Sequence, residues 1–305
     1  MYSLLRHITG RPERLARVRR WGRLLPYRVV TALCWLGAGL AVLAAPGLRR
    51  RLLDNLRQNL PGQGRLRRLA CCVAYLANLL ILLYEVMVDV QRLPAHGERR
   101  FLVEGLHQLE AARRDGRGAI LFAPHMGNFF YAYWYLCQRY PCLTVGTAGS
   151  PELRPLYQAF FDLGCPGLDY DRTAPRELVG ALRDHLAANG VVLLLGDFWR
   201  PGFPAATFLD RSSRSPQGAA RLALDGDVPI IPLYVTRRGW RQRLAFGPPR
   251  RLRTDFARHE RAAATNALNA WMSAAIRRHP SQWLYWLNVA ERWESPPEAR
   301  AERTA

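Results

Sequence analysis

From residue 118 onward, short apolar runs alternate with amphipathic stretches, and this alternation constrains the fold more than any other feature of the chain. The runs 119–123, 143–146, 191–195, 229–235 and 242–246 read as strands. The intervening stretches 128–138, 153–163, 176–188, 216–224 and 259–278 read as helices. Such alternation predicts an α/β protein with a mostly parallel central sheet and helices on both faces, a three-layer α/β/α arrangement. The length of 305 residues is enough to bury a substantial core.

The first third reads differently. Residues 1–28 form a basic amphipathic lead-in, with arginines set among Leu15, Val18, Trp21, Leu24 and Leu25, and lack the early apolar core of a cleavable signal peptide. Twenty uncharged residues follow, Val29 to Leu48, just long enough to span a bilayer. Both flanks are strongly positive, so the inside-positive rule gives no orientation; a helix lying in the interface or dipping into one leaflet fits better, and a buried core helix is the alternative. Residues 49–60 place Leu52, Leu53, Leu56 and Leu60 on one helical face, and 69–90 are again largely apolar, with Glu85 and Asp89 near the end. The expected organisation is a helical membrane-docking region at 1–93, an α/β core at 94–293 and a disordered tail at 294–305.

Basic residues outnumber acidic ones by 44 to 24, a formal charge of +20. That excess calls for an anionic partner, such as a membrane surface, an acidic carrier protein or a phosphorylated lipid. Nucleic acid is not expected, because no helix-turn-helix, zinc-finger or RNA-binding signature accompanies the charge. The six cysteines form no CxxC pair and read as small buried hydrophobes, so neither a metal site nor a disulfide framework is expected.

The sharpest local feature is Ala123-Pro124-His125-Met126-Gly127-Asn128, placed after a buried strand and before a helix. Open α/β sheets put their active sites at such carboxyl ends of strands. His125 there suits a general base that deprotonates a hydroxyl for attack on a thioester. Gly127 permits close backbone approach, and the first amides of the following helix suit an oxyanion. A histidine that only caps the helix is the competing interpretation.

The ordered set of motifs resembles the late acyltransferases of lipid A biosynthesis and their relatives that acylate mycobacterial phosphatidylinositol mannosides. The resemblance covers about residues 20–293. It rests on Asn55-Leu56 and Asn59-Leu60, the His125-to-Asn128 block, Arg154-Pro155-Leu156-Tyr157 and Asp171-Arg172. It continues through Leu194-Leu195-Gly196-Asp197, Thr207-Phe208-Leu209-Asp210, the segment Ser215 to Ala223, and Val228-Pro229-Ile230-Ile231-Pro232, and ends on Pro280-Ser281-Gln282-Trp283-Leu284-Tyr285-Trp286. It implies an α/β/α acyltransferase fold on the cytoplasmic face of a bacterial inner membrane. It also implies acyl carrier protein or a coenzyme A thioester as donor and no cofactor or metal; the membrane lipid acceptor is a lipid A precursor or related glycolipid or, alternatively, a lysophospholipid or specialised lipid.

One departure stands out. The family's histidine is followed, after four residues, by Asp or Glu, and Phe130 occupies that position here. Three interpretations compete. Asp197, at the end of the next strong strand, replaces the acid; His125 works with only a backbone carbonyl or Asn128 to orient it; or catalysis is lost and the protein binds lipid or carrier protein. Arg172 matches the family's helix-start arginine and suits a phosphate of the acceptor or the donor's phosphopantetheine arm. Arg200 and Arg154 are lesser candidates of the same kind. Asp210 reads as a loop former, and Ser215 and Pro216 as the N-cap and first residue of a helix. The aromatic run Phe129 to Tyr135 reads as core packing plus an interface belt, or as a set that lines an acyl tunnel or faces the membrane beside the site.

Overall fold

A computed structural model of the chain describes residues 17, 19, 20, 22, 25–147 and 154–293. Most of the basic lead-in and the tail from 294 lie outside the described residues. The elements run α1 (Tyr27–Ala44), α2 (Pro46–Asn59), α3 (Arg65–Met87), α4 (Leu93–His96), β1 (Phe101–Glu104), α5 (Leu106–Arg113), β2 (Ala119–Ala123), α6 (Phe129–Cys137), β3 (Cys142–Gly146) and α7 (Arg154–Phe161). They continue β4 (Gly167–Asp169), α8 (Pro175–Ala187), β5 (Val191–Leu195), β6 (Ala205–Phe208), β7 (Arg211–Arg214), α9 (Gly218–Gly226), β8 (Ile230–Arg238), β9 (Arg241–Phe246) and α10 (Arg261–Arg278).

Seven strands form one sheet in the order β1-β9-β8-β2-β5-β3-β4. Every pairing is parallel except β8 with β9, so β1 and β9 run against the other five. The central strands are apolar on both faces because both faces are covered. Ile120, Phe122 and Val192 join a core built with α2, α8, α9 and α10, while Ala119, Leu121 and Leu193 join a second core built with α5, α6 and α7. These are the expected α/β/α layers with a mostly parallel sheet.

Four strands were not foreseen: β1, β4 and the hairpin pair β6 and β7. Ser215 is not a helix cap. α9 begins at Gly218, and the Ser215 hydroxyl instead accepts from Asn269 of α10 at 2.9 Å.

The helices α1 and α3 are each long and apolar enough to cross a bilayer by length and composition. Their surroundings differ. α3 buries Tyr75, Leu76 and Leu79 in the first core and Leu82 and Val86 in the second. α1 leaves Val29, Leu33, Leu36, Leu40 and Leu43 exposed, a stripe at helical spacing. The cysteines are all free; Cys71, Cys72, Cys142 and Cys165 are buried and Cys34 and Cys137 partly so.

Candidate active site

β2 and β5 pair in register from Ala119 with Val191 to Ala123 with Leu195, so the loops that leave them start side by side. The Gly196 amide donates to the Ala123 carbonyl at 3.0 Å and extends the pairing past the strand ends. A side chain at 196 would collide with the Phe122 ring, 2.0 Å from an ideal Cβ, which is why glycine stands there. One residue further, His125 and Asp197 meet. His125 Nδ1 lies 2.6 Å from Asp197 Oδ1, and the His125 backbone N–H donates to both carboxylate oxygens at 3.0 Å. The Trp283 indole N–H donates to Oδ2 at 2.7 Å. The Asp197 side chain is fully buried, whereas 14% of the His125 side chain remains exposed.

Burial alone pushes the Asp197 carboxyl up. The charge of His125 and its hydrogen bond, the Arg292 guanidinium and the Trp283 donor outweigh that penalty and hold it below the usual carboxylate range. Asp197 is thus the ionised, acceptor-only partner. With Nδ1 engaged, Nε2 is the ring nitrogen left for a substrate.

The loop carrying His125 is gripped from the other side by the segment after α10. Gly127 donates to the Gln282 carbonyl at 3.0 Å, and Leu284 donates to the His125 carbonyl at 3.0 Å. Gly127 has φ +56, and a Cβ there would sit 2.7 Å from the Val235 carbonyl oxygen. Its glycine therefore serves close packing against β8, and its amide is committed to Gln282. The imidazole is held edge-on by Phe129 and Tyr285, each with its ring centroid 5.0 Å away.

Asn128 does not reach the imidazole as an orienting partner. It is fully buried; its Oδ1 caps α6 by accepting from Tyr131 N–H at 3.0 Å, and its Nδ2 donates to Glu85 Oε2 at 2.9 Å. Glu85 is itself fully buried, paired with Arg237 through two hydrogen bonds of 2.6 Å and bonded by Tyr27 at 2.7 Å. Sequence reasoning placed Glu85 only near the end of an apolar stretch. An acid inside that stretch was the available signal, because a buried carboxylate demands a partner.

His125 lines a cavity whose walls are almost wholly apolar: Phe122, Leu178, Leu182, Leu194, Phe198 and Leu222 among them. A second apolar cavity, walled by Phe129, Phe130, Tyr133, Phe160 and Leu193, shares Val145, Gly146, Tyr157 and Leu195 with the first. Phe130 stacks on Phe129 at 4.4 Å and on Phe160 at 5.2 Å. The position that holds an acid in the resemblance is here part of a greasy wall.

The arginines sit further out. Arg154 reaches the second cavity. Arg172 is 65% exposed and 3.7 Å from Asp169, which lines that cavity. Arg200 pairs with Asp171 at 3.1 Å and lies over Phe198, a wall of the His125 cavity. Asp210 is exposed and pairs with Arg277. Among the described residues no cluster of His, Cys, Asp and Glu has the makings of a metal site.

The chain is 31% identical over 208 residues to the phosphatidylinositol mannoside acyltransferase of Mycobacterium tuberculosis H37Rv, an alignment covering 64% of this chain and 63% of that protein. It is 30% identical over 203 residues to the phosphatidylinositol mannoside acyltransferase of Mycolicibacterium smegmatis, covering 63% of this chain and 64% of that protein. The match thus spans a little under two thirds of these relatives. The model of the bacterial lipid A biosynthesis acyltransferases matches residues 16–294, almost the whole chain, and the chain belongs to that family.

Proposed function

We propose that this protein transfers a fatty acyl group from a thioester to a hydroxyl of a glycolipid, with His125 as general base. The observation that carries the reading is the 2.6 Å pair between His125 and a buried Asp197, beside an apolar cavity that suits an acyl chain. Nε2 of His125 takes the proton of the acceptor hydroxyl, and the oxygen bonds to the thioester carbonyl carbon. The tetrahedral intermediate collapses with cleavage of the C–S bond, and the departing sulfur takes the proton back from Nε2. One ester and one thiol result. Asp197 stays ionised throughout, holding the tautomer and stabilising the imidazolium. Phe130 does not impair this cycle, because the acid comes from β5 instead of α6.

The finer assignments follow from the same reading. The donor is acyl carrier protein or coenzyme A loaded with a fatty acid, and the reaction needs no metal or further cofactor. The acceptor is a glycolipid of the phosphatidylinositol mannoside or lipid A precursor kind. Arg154, Arg172 and Arg200 serve phosphates of the donor arm or the acceptor, while Gly127 and Asn128 shape the loop that carries the base. The exposed leucine stripe of α1 and the charge of +20 favour docking on an anionic membrane, which we place at the cytoplasmic face of the inner membrane.

The test is acyl transfer by purified protein from palmitoyl-coenzyme A or palmitoyl-acyl carrier protein. The acceptors offered are phosphatidylinositol mannoside and a lipid A precursor, with mass spectrometry of the product. It is joined by lipid profiling of cells with and without the gene. The expected result is one added acyl chain in vitro and a lipid lacking one chain in the deletion. Absence of transfer with every pair, together with an unchanged lipid profile, would overturn the reading.

A further inference from the structure

The segment Pro280 to Trp286 belongs to no strand of the sheet, yet it makes several of the contacts that hold the His125 loop. Met126 forms an isolated antiparallel bridge with Trp283. Gln282 accepts from Gly127, Leu284 donates to His125, and Tyr285 packs its ring on the imidazole. Within this segment the Trp283 indole N–H donates to the carboxylate at 2.7 Å. Its ring is fully buried and wedged among Trp286, Tyr285 and Phe208 at 4.8, 5.8 and 5.9 Å between centroids, so the N–H cannot turn away.

We propose that Trp283 is a positioning residue for catalysis: its indole N–H fixes which oxygen of Asp197 faces His125. This rests on the reading of His125 as the base. A carboxyl group can rotate about its Cβ–Cγ bond, and the His125 backbone N–H, at 3.0 Å from both oxygens, does not distinguish them. The indole at 2.7 Å from Oδ2 does, leaving Oδ1 for Nδ1. Indole is a donor only, so it can neither accept the imidazole proton nor reverse the polarity of the bond, as a hydroxyl or amide could. Arg292 completes the hold from behind, donating to the Asp197 backbone carbonyl while its guanidinium lies 3.9 Å over the Tyr285 ring. One short segment thus grips the base through its backbone and the acid through its side chain.

Trp283→Phe keeps most of the buried ring and removes the donor. Its kcat for transfer from palmitoyl-coenzyme A should fall roughly 10- to 100-fold, the range for losing a hydrogen bond to a charged group. KM for the acceptor should stay unchanged. In an Asp197→Ala background the same substitution should cost less than about twofold, since the group it acts through is gone. Trp271→Phe is the control: it removes an indole donor to Tyr234 at 2.5 Å on α10 and should leave kcat unchanged. A readout independent of turnover is the His125 imidazole signal in protein labelled with ¹⁵N-histidine, assigned by its loss in His125→Ala. Trp283→Phe should shift the Nδ1–H resonance and speed its exchange with water, and Trp271→Phe should not. Unmoved His125 signals in Trp283→Phe, or an equal loss of kcat with and without Asp197, would overturn the proposal. If the wild type transfers no acyl group, the proposed function fails, and the imidazole spectrum still decides the role of Trp283.

Discussion

At position 130 the chain carries a phenyl ring that stacks on Phe129 and Phe160, and Nδ1 of His125 is already taken by Asp197. A carboxylate introduced there would face an apolar wall, and the ring nitrogen that an orienting acid would bond is already occupied. Phe130→Asp should therefore not raise kcat and should lower it, as measured in the transfer assay. Asp197→Asn should lower kcat by roughly 10³- to 10⁴-fold, because the tautomer and the charge are lost together. Gly127→Ala should destabilise by about 1–3 kcal/mol in urea denaturation, since its positive φ and the Val235 carbonyl leave no room for a methyl group. Asp197 was legible in the sequence because it ends an apolar run next to the one that leads to His125, and register then brings the two loops together. Trp283 was not. Tryptophans near a chain end serve core, interface and site alike, and only the fold, which returns residue 283 to residue 126, separates these uses.

The most plainly legible strands are those buried on both faces. β2 and β5 read as strands because five apolar residues in a row have no amphipathic alternative at that length. β1, β4, β6 and β7 are three or four residues long and partly exposed, and their local pattern is indistinguishable from loop. The start of α9 was misread for a different reason: Ser215 has cap chemistry, but Asn269 of α10 claims its hydroxyl. Between elements, the Glu85–Arg237 pair joins α3 to β8 and, through Asn128, to the start of α6. Removing Glu85 strands a buried guanidinium, so Glu85→Ala should cost about 3–5 kcal/mol of stability by chemical denaturation. α1 behaves oppositely. Leu36 and Leu40 are exposed at 60% and 57%, so replacing both with Asp should leave the melting temperature unchanged. Binding to anionic vesicles in a sedimentation assay should weaken at least about tenfold.

For the molecule as a whole, acid weakens the architecture through its buried carboxylates. A carboxyl held below its ordinary value contributes stability that is complete above the unfolded value, about 3.9 for Asp, and is lost as pH falls through the folded value. Asp197 is such a group, held down by His125, Arg292 and Trp283 against its burial. Acid also neutralises carboxylates in a chain that already carries +20, so self-repulsion grows in the same direction. The melting-temperature gap between wild type and Asp197→Asn should stay constant above about pH 5 and close below about pH 4. The return of residues 280–286 onto the His125 loop has a last consequence, for synthesis. His125 and Asp197 leave the ribosome before the residues that hold them. A chain stopped short of residue 280 should carry both His125 and Asp197 yet transfer no acyl group in the assay described above.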